Sequence, residues 1–394
     1  MKISQRARSI PPFFAMEFGK RAAVLEAEGF DVIKLSMGEP DFRALPAVVS
    51  AAITAIKDGV VPYTPAVGIP ELRRAIAGFY LTEHGVQIEP SRIIITAGAS
   101  AALLLVAAAL VDPGDEIIIG DPSYPCNRQF LSTFGAQVKL VPTSADTRFQ
   151  LDMAAIRANW TDETRGLLIA TPSNPTGTSL NHCELNDICT WAREKGAWRI
   201  IDEIYLNLGR LDPNDQRPQT VLSIDDDAIV INSFSKYFGM TGWRVGWCVV
   251  PEEMVPYIER LAQNYYICPS MLAQKAALAC FTPESLEICE IRRIELAQRR
   301  ALVLDGLEHI GLPVSAPPDS AFYVYFDVSM TGLTSWEFCE RALEEVFVAL
   351  TPGKDFGECG ADSHVRLCYA APTAILIQAI QRLGSFIGGL KASN

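Results

Sequence analysis

With 394 residues, 49% of them hydrophobic and 20% charged, the chain has the balance of a globular protein long enough for two domains around one large core. Its net charge of -12 argues against nucleic acid and anionic membrane as partners, because an acidic surface repels both. The cysteines form no Cys-x-x-Cys pair and the histidines His84, His182, His309 and His364 are not at ligand spacing, which disfavours a disulfide framework and a metal site.

The first eight residues are basic, like the start of an export signal. Pro11 and Pro12 then interrupt the apolar stretch that should follow, so a cytoplasmic location is expected. Residues 1–45 carry no strand pattern of their own and are expected to pack on a smaller second domain. Over residues 46–285, short apolar runs at 93–95, 117–119, 138–141, 167–170, 199–201, 229–231 and 245–249 alternate with helical patterns such as 181–195. Several runs are apolar on both faces, as strands covered on both sides are. This predicts an α/β fold whose large domain holds a seven-stranded, mostly parallel sheet covered by helices. The longest apolar run, 101–111, is about half a membrane span and reads as a buried helix. The triplet Asp225-Asp226-Asp227 reads as a solvated turn. After Pro251 the pattern changes: a long helix over 283–308, strands near 321–326, 346–350 and 365–369, and helices from Ser335 and Pro372. Residues 286–394, with the N-terminal segment, are expected to form a smaller α/β domain.

Ligands of a parallel α/β sheet sit beyond the carboxyl ends of its strands, so the residues following each run carry the chemistry. Thr96-Ala97-Gly98-Ala99-Ser100 enters a helix through small residues, either a phosphate-binding turn or an ordinary turn capped by Ser100. Tyr124, in Asp121-Pro122-Ser123-Tyr124-Pro125, either stacks on a flat ligand or is a half-buried loop tyrosine. Asn174 lies in Thr171-Pro172-Ser173-Asn174-Pro175-Thr176-Gly177, a turn stiffened by two prolines with room for a cis bond; its amide is either aimed at a ligand or part of an Asx turn. Asp202 ends an apolar strand, where a carboxylate needs a helix cap or a buried cation such as a protonated ring nitrogen. Lys236, in Asn232-Ser233-Phe234-Ser235-Lys236, either snorkels at a sheet edge or is a desolvated amine suited to imine formation. Arg244 offers a fork for phosphate or a surface ion pair. Taken one at a time these residues are ambiguous. Converging on one rim, they supply an imine-forming lysine, a carboxylate for a pyridinium nitrogen and a phosphate cradle, which is what pyridoxal phosphate requires.

With these residues in place, the chain resembles the class I and II aminotransferases of pyridoxal-phosphate fold type I, the aspartate aminotransferase superfamily. The resemblance runs from Ser36-Met37-Gly38-Glu39-Pro40-Asp41-Phe42 to Arg366. It includes Tyr63-Thr64-Pro65, Gly68-Ile69-Pro70-Glu71-Leu72-Arg73, Ser173-Asn174-Pro175-Thr176-Gly177, Asp202-Glu203-Ile204-Tyr205, Ser233-Phe234-Ser235-Lys236 and Gly242-Trp243-Arg244-Val245-Gly246. It implies pyridoxal 5'-phosphate as cofactor, an amino acid and a 2-oxo acid as substrates, ping-pong transfer of the amino group, and a homodimer with shared active sites. It implies Lys236 as the Schiff-base lysine, Asp202 on the pyridine nitrogen, Tyr205 and Asn174 on the ring hydroxyl, and Tyr124 stacked on the ring. Ala99, Ser100, Ser233 and Arg244 are implied at the cofactor phosphate, with Tyr63 of a neighbouring subunit, and Ser235 is implied among the cofactor-binding residues. Arg366 is implied as the clamp on the substrate α-carboxylate, with Gly38 closing over it.

Two departures bear on specificity. Arg43-Ala44-Leu45 is one residue longer than the family's usual spacing, and Ala101 stands where relatives often carry a polar side chain. The aromatic pairs Phe13-Phe14 and Tyr265-Tyr266 either lean toward an apolar substrate or are simple packing. A carbon–sulfur β-lyase on the same scaffold is the alternative reading.

Overall fold

All seven expected runs over residues 93–249 form strands of one sheet. The computed structural model describes residues 1–209 and 219–393. In chain order its strands are β1 (Ile33–Lys34), β2 (Ile93–Thr96), β3 (Glu116–Asp121), β4 (Gln137–Pro142), β5 (Thr164–Ala170), β6 (Trp198–Asp202), β7 (Ile229–Ser233), β8 (Gly246–Val249), β9 (Tyr323–Asp327), β10 (Val348–Ala349), β11 (Thr351–Pro352) and β12 (His364–Cys368). The large sheet has the order β2-β8-β7-β6-β5-β3-β4. Only β8 runs against its neighbours, β2 and β7. Strand β2 therefore points the same way as β3 to β7, and their carboxyl ends share one rim.

Alternation along these strands explains the two-sided apolar pattern. Ile94, Ile117, Ile119, Leu168, Ile200, Ile229 and Ile231 pack on one face beneath the helix Ala99–Leu110. Ile93, Ile95, Ile118, Leu167, Ile169, Ile201 and Val230 enter the core on the other face. Each buried side chain of this kind contributes roughly 1.5–3 kcal/mol, so the sheet is held from both sides. The helix expected at 181–195 spans His182–Glu194 and starts with a capping box: Asn181 accepts from the Glu184 N–H, and the Glu184 carboxylate accepts from the Asn181 N–H.

The remaining strands form two small groups, a β11-β12-β9 antiparallel sheet and a parallel β1–β10 pair. The N-terminal segment thus does contribute a strand, contrary to its sequence pattern. Two residues, Ile33 and Lys34, are too few for alternation to register, and the pairing with Val348 and Ala349 comes from far along the chain. The run at 346–350 also divides. The helix Ser335–Val346 stops at Phe347, whose φ of 56° is left-handed, and the residues beyond serve two different sheets. The C-terminal helix Thr373–Ser393 contains an 18-residue stretch apolar and long enough to cross a membrane by length and composition. Its Leu376, Ala379, Leu383, Phe386 and Ile387 are buried in the core, at the spacing of one helix face.

The acidic triplet forms a turn with Asp226 and Asp227 exposed, as expected, but its first residue is not solvated. Asp225 is buried and accepts from Arg199 Nε at 2.7 Å and Nη2 at 2.8 Å, while Asp226 pairs with Arg92 at 2.6 Å. Both arginines come from other elements, which a run of like charges does not reveal. All ten cysteines are free thiols, and Cys189, Cys248, Cys280, Cys289, Cys339 and Cys368 are buried.

Candidate active site at the sheet rim

The carboxyl-end rim opens into a cavity of about 360 Å³. Gly38, Ala99, Ser100, Tyr124, Asn174, Asp202, Tyr205, Ser233, Ser235, Lys236, Arg244 and Arg366 all line it. Tyr63 does not; it is 84% exposed and outside the cavity. Neither Ala101 nor any of Arg43, Ala44 and Leu45 lines it, so the two departures from the family pattern lie outside the wall. Of the aromatic pairs only Phe13 reaches the cavity; Phe14 packs edge-on against Trp336 at 5.2 Å, and Tyr265 and Tyr266 pack edge-on against each other at 6.0 Å.

One end of the cavity gathers groups that suit an anion. The helix Ala99–Leu110 starts at Gly98, with φ 85°, and has no side-chain cap. Ser100 is therefore not the cap but part of the first turn, whose N–H groups carry the positive end of the dipole. A Cβ at Gly98 would lie 2.6 Å from Arg244 Nη2, so the missing side chain lets the guanidinium reach this helix start. Gly246 is needed for the same reason: a Cβ there would lie 2.9 Å from the Gly98 carbonyl carbon. Arg244 is fixed by donation from Nη1 to the Thr241 carbonyl at 3.0 Å, and the Ser233 hydroxyl donates to the Ser235 hydroxyl at 2.9 Å. A dipole end, a guanidinium and two hydroxyls together form an anion cradle.

The middle of the cavity carries an amine and a carboxyl. Lys236 Nζ donates to the Gly38 carbonyl at 2.6 Å and lies 5.7 Å and 5.6 Å from the ring centres of Tyr205 and Phe322. Burial lowers its pKa to about 8, because the charged form is desolvated; the Arg366 and Arg244 charges act the same way. Asp202 is buried at the end of β6, and burial raises its pKa to about 7 despite the Ile204 N–H donating to Oδ1 at 3.1 Å. Its neighbour Glu203 does not line the cavity and accepts from Val221 N at 2.6 Å and the Thr220 hydroxyl at 2.8 Å; burial raises it to about 7 as well. The bonds Thr171–Pro172 and Asn174–Pro175 are both cis, so the stiff turn has two such bonds.

At the far end lies Arg366, 2% exposed. Nη1 donates to Asn174 Oδ1 at 2.8 Å and Nη2 to the Ser36 carbonyl at 2.5 Å, and the guanidinium lies 4.5 Å above the Tyr323 ring. Nε has no hydrogen-bond partner, and among the described residues no carboxylate lies within 4 Å of this cation. A buried, unpaired guanidinium is costly unless an anion joins it, and a planar carboxylate matches its fork. The Asn174 oxygen is engaged by Arg366, so its amide hydrogens are what it can offer the cavity.

Sequence reasoning missed Tyr323, which lines the cavity with its hydroxyl 2.8 Å from that of Tyr205. It also missed Ser36 and Thr351, whose oxygens accept from Arg366. Tyr323 opens β9, and the rule of looking beyond strand ends applies to the parallel sheet alone. The run it belongs to, Ala321 to Phe326, holds a second phenol at Tyr325, so residue type alone did not single it out.

The family model for aminotransferase class I and II matches residues 31–383. The chain is 39% identical to the valine–pyruvate aminotransferase of Mycobacterium tuberculosis, over 98% of each chain. It is 32% identical to the aspartate/prephenate aminotransferase of Thermus thermophilus, over 98% of this chain and 99% of that protein. Among solved structures, an aminotransferase from Mycobacterium tuberculosis matches with a TM-score of 0.94 at 38% identity, over 99% of this chain and 100% of that one. The aspartate aminotransferase of Thermus thermophilus with maleate matches at 0.92 and 31%, over 98% and 99%.

Proposed function

The chain belongs to the class I and II aminotransferases, and from that membership we propose that it binds pyridoxal phosphate at Lys236 and transfers the amino group of an apolar L-amino acid to a 2-oxo acid. The observation that carries this reading is one cavity holding a desolvated amine, a buried carboxyl, an anion cradle and a guanidinium with an unpaired Nε. The carbon–sulfur lyase alternative is not favoured, since the relatives across the whole chain are named aminotransferases.

These residues fit the cofactor. Ala99, Ser100, Ser233, Ser235 and Arg244 would hold its phosphate, Tyr124 would cover the ring, and Asn174 and Tyr205 would serve the ring oxygen. When bound, pyridoxal phosphate supplies an electron sink for the bond broken at the substrate α-carbon. Lys236 would anchor it and, once released by substrate, carry the α-proton; an amine of pKa near 8 is a usable base at neutral pH. Asp202 would hold the ring nitrogen in its protonated form. Arg366 would orient the substrate through its α-carboxylate, with Gly38 above it, which places the α-hydrogen toward Lys236.

The substrate side chain then meets Phe13, Ala15, Met37 and Ile204, and the cations lining the cavity are Lys236, Arg244 and Arg366, each already assigned. Among the described residues no further guanidinium lines the cavity to meet a side-chain carboxylate, and the relative named for valine and pyruvate points the same way. A panel of amino acids with pyruvate as acceptor tests this. Valine, leucine or isoleucine should exceed aspartate and glutamate in kcat/KM by at least about tenfold, with parallel-line kinetics. Preference for the dicarboxylates would overturn the apolar assignment, and ammonia release without an acceptor would overturn the transfer reaction.

A homodimer is also proposed. Val49, Ile53 and Ile56 leave an apolar stripe exposed on the helix Pro46–Lys57, continued by Val60, Val61 and Tyr63. A second copy seated there would bring Tyr63 toward another phosphate cradle. Light scattering should give twice the 43.1 kDa chain mass, and a monomer active at assay concentration would exclude the shared site.

A further inference from the structure

Tyr323 stands where three parts of the site meet, and neither the comparisons nor the mechanism above assigns it a task. Its side chain is buried, at 1% exposure, and lines the cavity. Its ring lies under the Arg366 guanidinium at 4.5 Å, and its hydroxyl is 2.8 Å from that of Tyr205. The chain makes room for that hydroxyl: a Cβ at Gly38 would lie 2.0 Å from it. Among the described residues, the Tyr205 oxygen is the side-chain partner of the Tyr323 hydroxyl.

Each phenol has one proton. If Tyr205 donates to Tyr323, it has nothing left to offer the cavity; if Tyr323 donates to Tyr205, the Tyr205 proton is free to point inward. The second arrangement also polarises Tyr205, since a hydroxyl that accepts one hydrogen bond donates a stronger one. The ring beneath Arg366 meanwhile stabilises a cation that has no carboxylate partner, through its negative face. One side chain thus touches both the group that orients the substrate carboxylate and the group that serves the cofactor ring.

We propose that Tyr323 is a positioning residue for the transfer reaction: its hydroxyl donates to Tyr205 so that Tyr205 donates into the cavity, and its ring supports Arg366. This rests on the reading of Tyr205 as a donor to the ring oxygen of the bound cofactor. Donation to a ring oxygen lowers the proton affinity of the atoms conjugated to it, so weakening the donor moves their titration upward.

The test follows the visible absorbance of the cofactor-loaded protein as a function of pH, with steady-state kinetics beside it. Tyr323→Phe keeps the ring and removes the hydroxyl. It should raise the absorbance midpoint by about 0.5–1 pH unit and leave KM for the amino acid within about twofold of wild type. In a Tyr205→Phe background the same change should move the midpoint by less than about 0.2 unit, because its effect passes through the Tyr205 oxygen. Tyr323→Leu also removes the ring and should raise KM by about 3- to 30-fold. An unshifted midpoint in Tyr323→Phe, or a shift of equal size in the Tyr205→Phe background, overturns the hydroxyl's role. An unchanged KM in Tyr323→Leu overturns the ring's. A wild-type protein that never acquires the cofactor's absorbance would instead defeat the cofactor reading itself, an outcome distinct from loaded variants that match a loaded wild type.

Discussion

Lys236→Ala is expected to lower kcat by at least about 10⁴-fold, because one amine both anchors the cofactor and moves the α-proton. Among the described residues lining the cavity, no other amine is present to take over. Among the described residues the remaining cations lining it are Arg244 and Arg366, whose planar guanidiniums are not imine-forming amines. The variant should still take up pyridoxal phosphate through the anion cradle, yet borohydride should fix no adduct, and a small primary amine added to the assay should restore part of the rate. The wild-type amine supplies a further check. With its pKa lowered to about 8 by burial, the fraction of reactive free amine grows as pH rises through 8, well below the range of an exposed lysine. Capture of the cofactor by cofactor-free protein should therefore accelerate with a midpoint near pH 8. A Lys236→Ala enzyme keeping more than a tenth of wild-type turnover would remove the basis of the mechanism.

Asp202→Asn should separate stability from activity. In the loaded enzyme the carboxylate faces a buried cation, and removing one partner of such a pair costs about 3–5 kcal/mol, so kcat should fall by roughly 10²- to 10⁴-fold. In the cofactor-free protein the effect has the opposite sign. Burial raises the folded-state pKa of Asp202 to about 7, above its value in the unfolded chain. The folded state therefore binds the extra proton between about pH 4 and pH 7, and this contribution to stability is full below pH 4 and lost as pH rises through 7. At pH 8 wild type buries a charge that asparagine does not carry. The variant should then be more stable by about 1–3 kcal/mol, with the gap closing toward pH 4. Denaturation of both cofactor-free proteins at pH 4.5 and pH 8 measures this directly. A variant less stable than wild type at pH 8 would mean that Asp202 is better satisfied in the folded chain than its single backbone hydrogen bond indicates. The residue is thus costly in the empty fold and useful in the loaded one, a trade usual at functional sites.

The large sheet was legible because its signal is local. Ile93-Ile94-Ile95, Ile117-Ile118-Ile119 and Arg199-Ile200-Ile201 are short, bounded and apolar on both faces, and each formed the strand expected of it. Position after a strand then placed Asn174, Asp202 and Lys236 at one rim, since parallel strands deliver their carboxyl ends to the same side; Arg244 joins them because it precedes β8, which runs the opposite way. The smaller elements were less legible. Ile33-Lys34 becomes a strand through Val348 and Ala349, and Asp225 is buried because Arg199 and the fold close over it.

By itself, then, the amino-acid order determined the sheet, the rim and the chemical types gathered there, because hydrophobic period and turn residues act over a few positions. Arg366 was reached only through resemblance, and Tyr323 not at all. Their roles depend on a second sheet folding back so that β12 and β9 carry them to the cavity, with Arg366 and Tyr325 paired across the two strands. Contacts between residues more than a hundred positions apart, such as Tyr205 with Tyr323 and Asn174 with Arg366, leave no periodic trace along the chain. They exist only once burial of both sheets has set the distance between them.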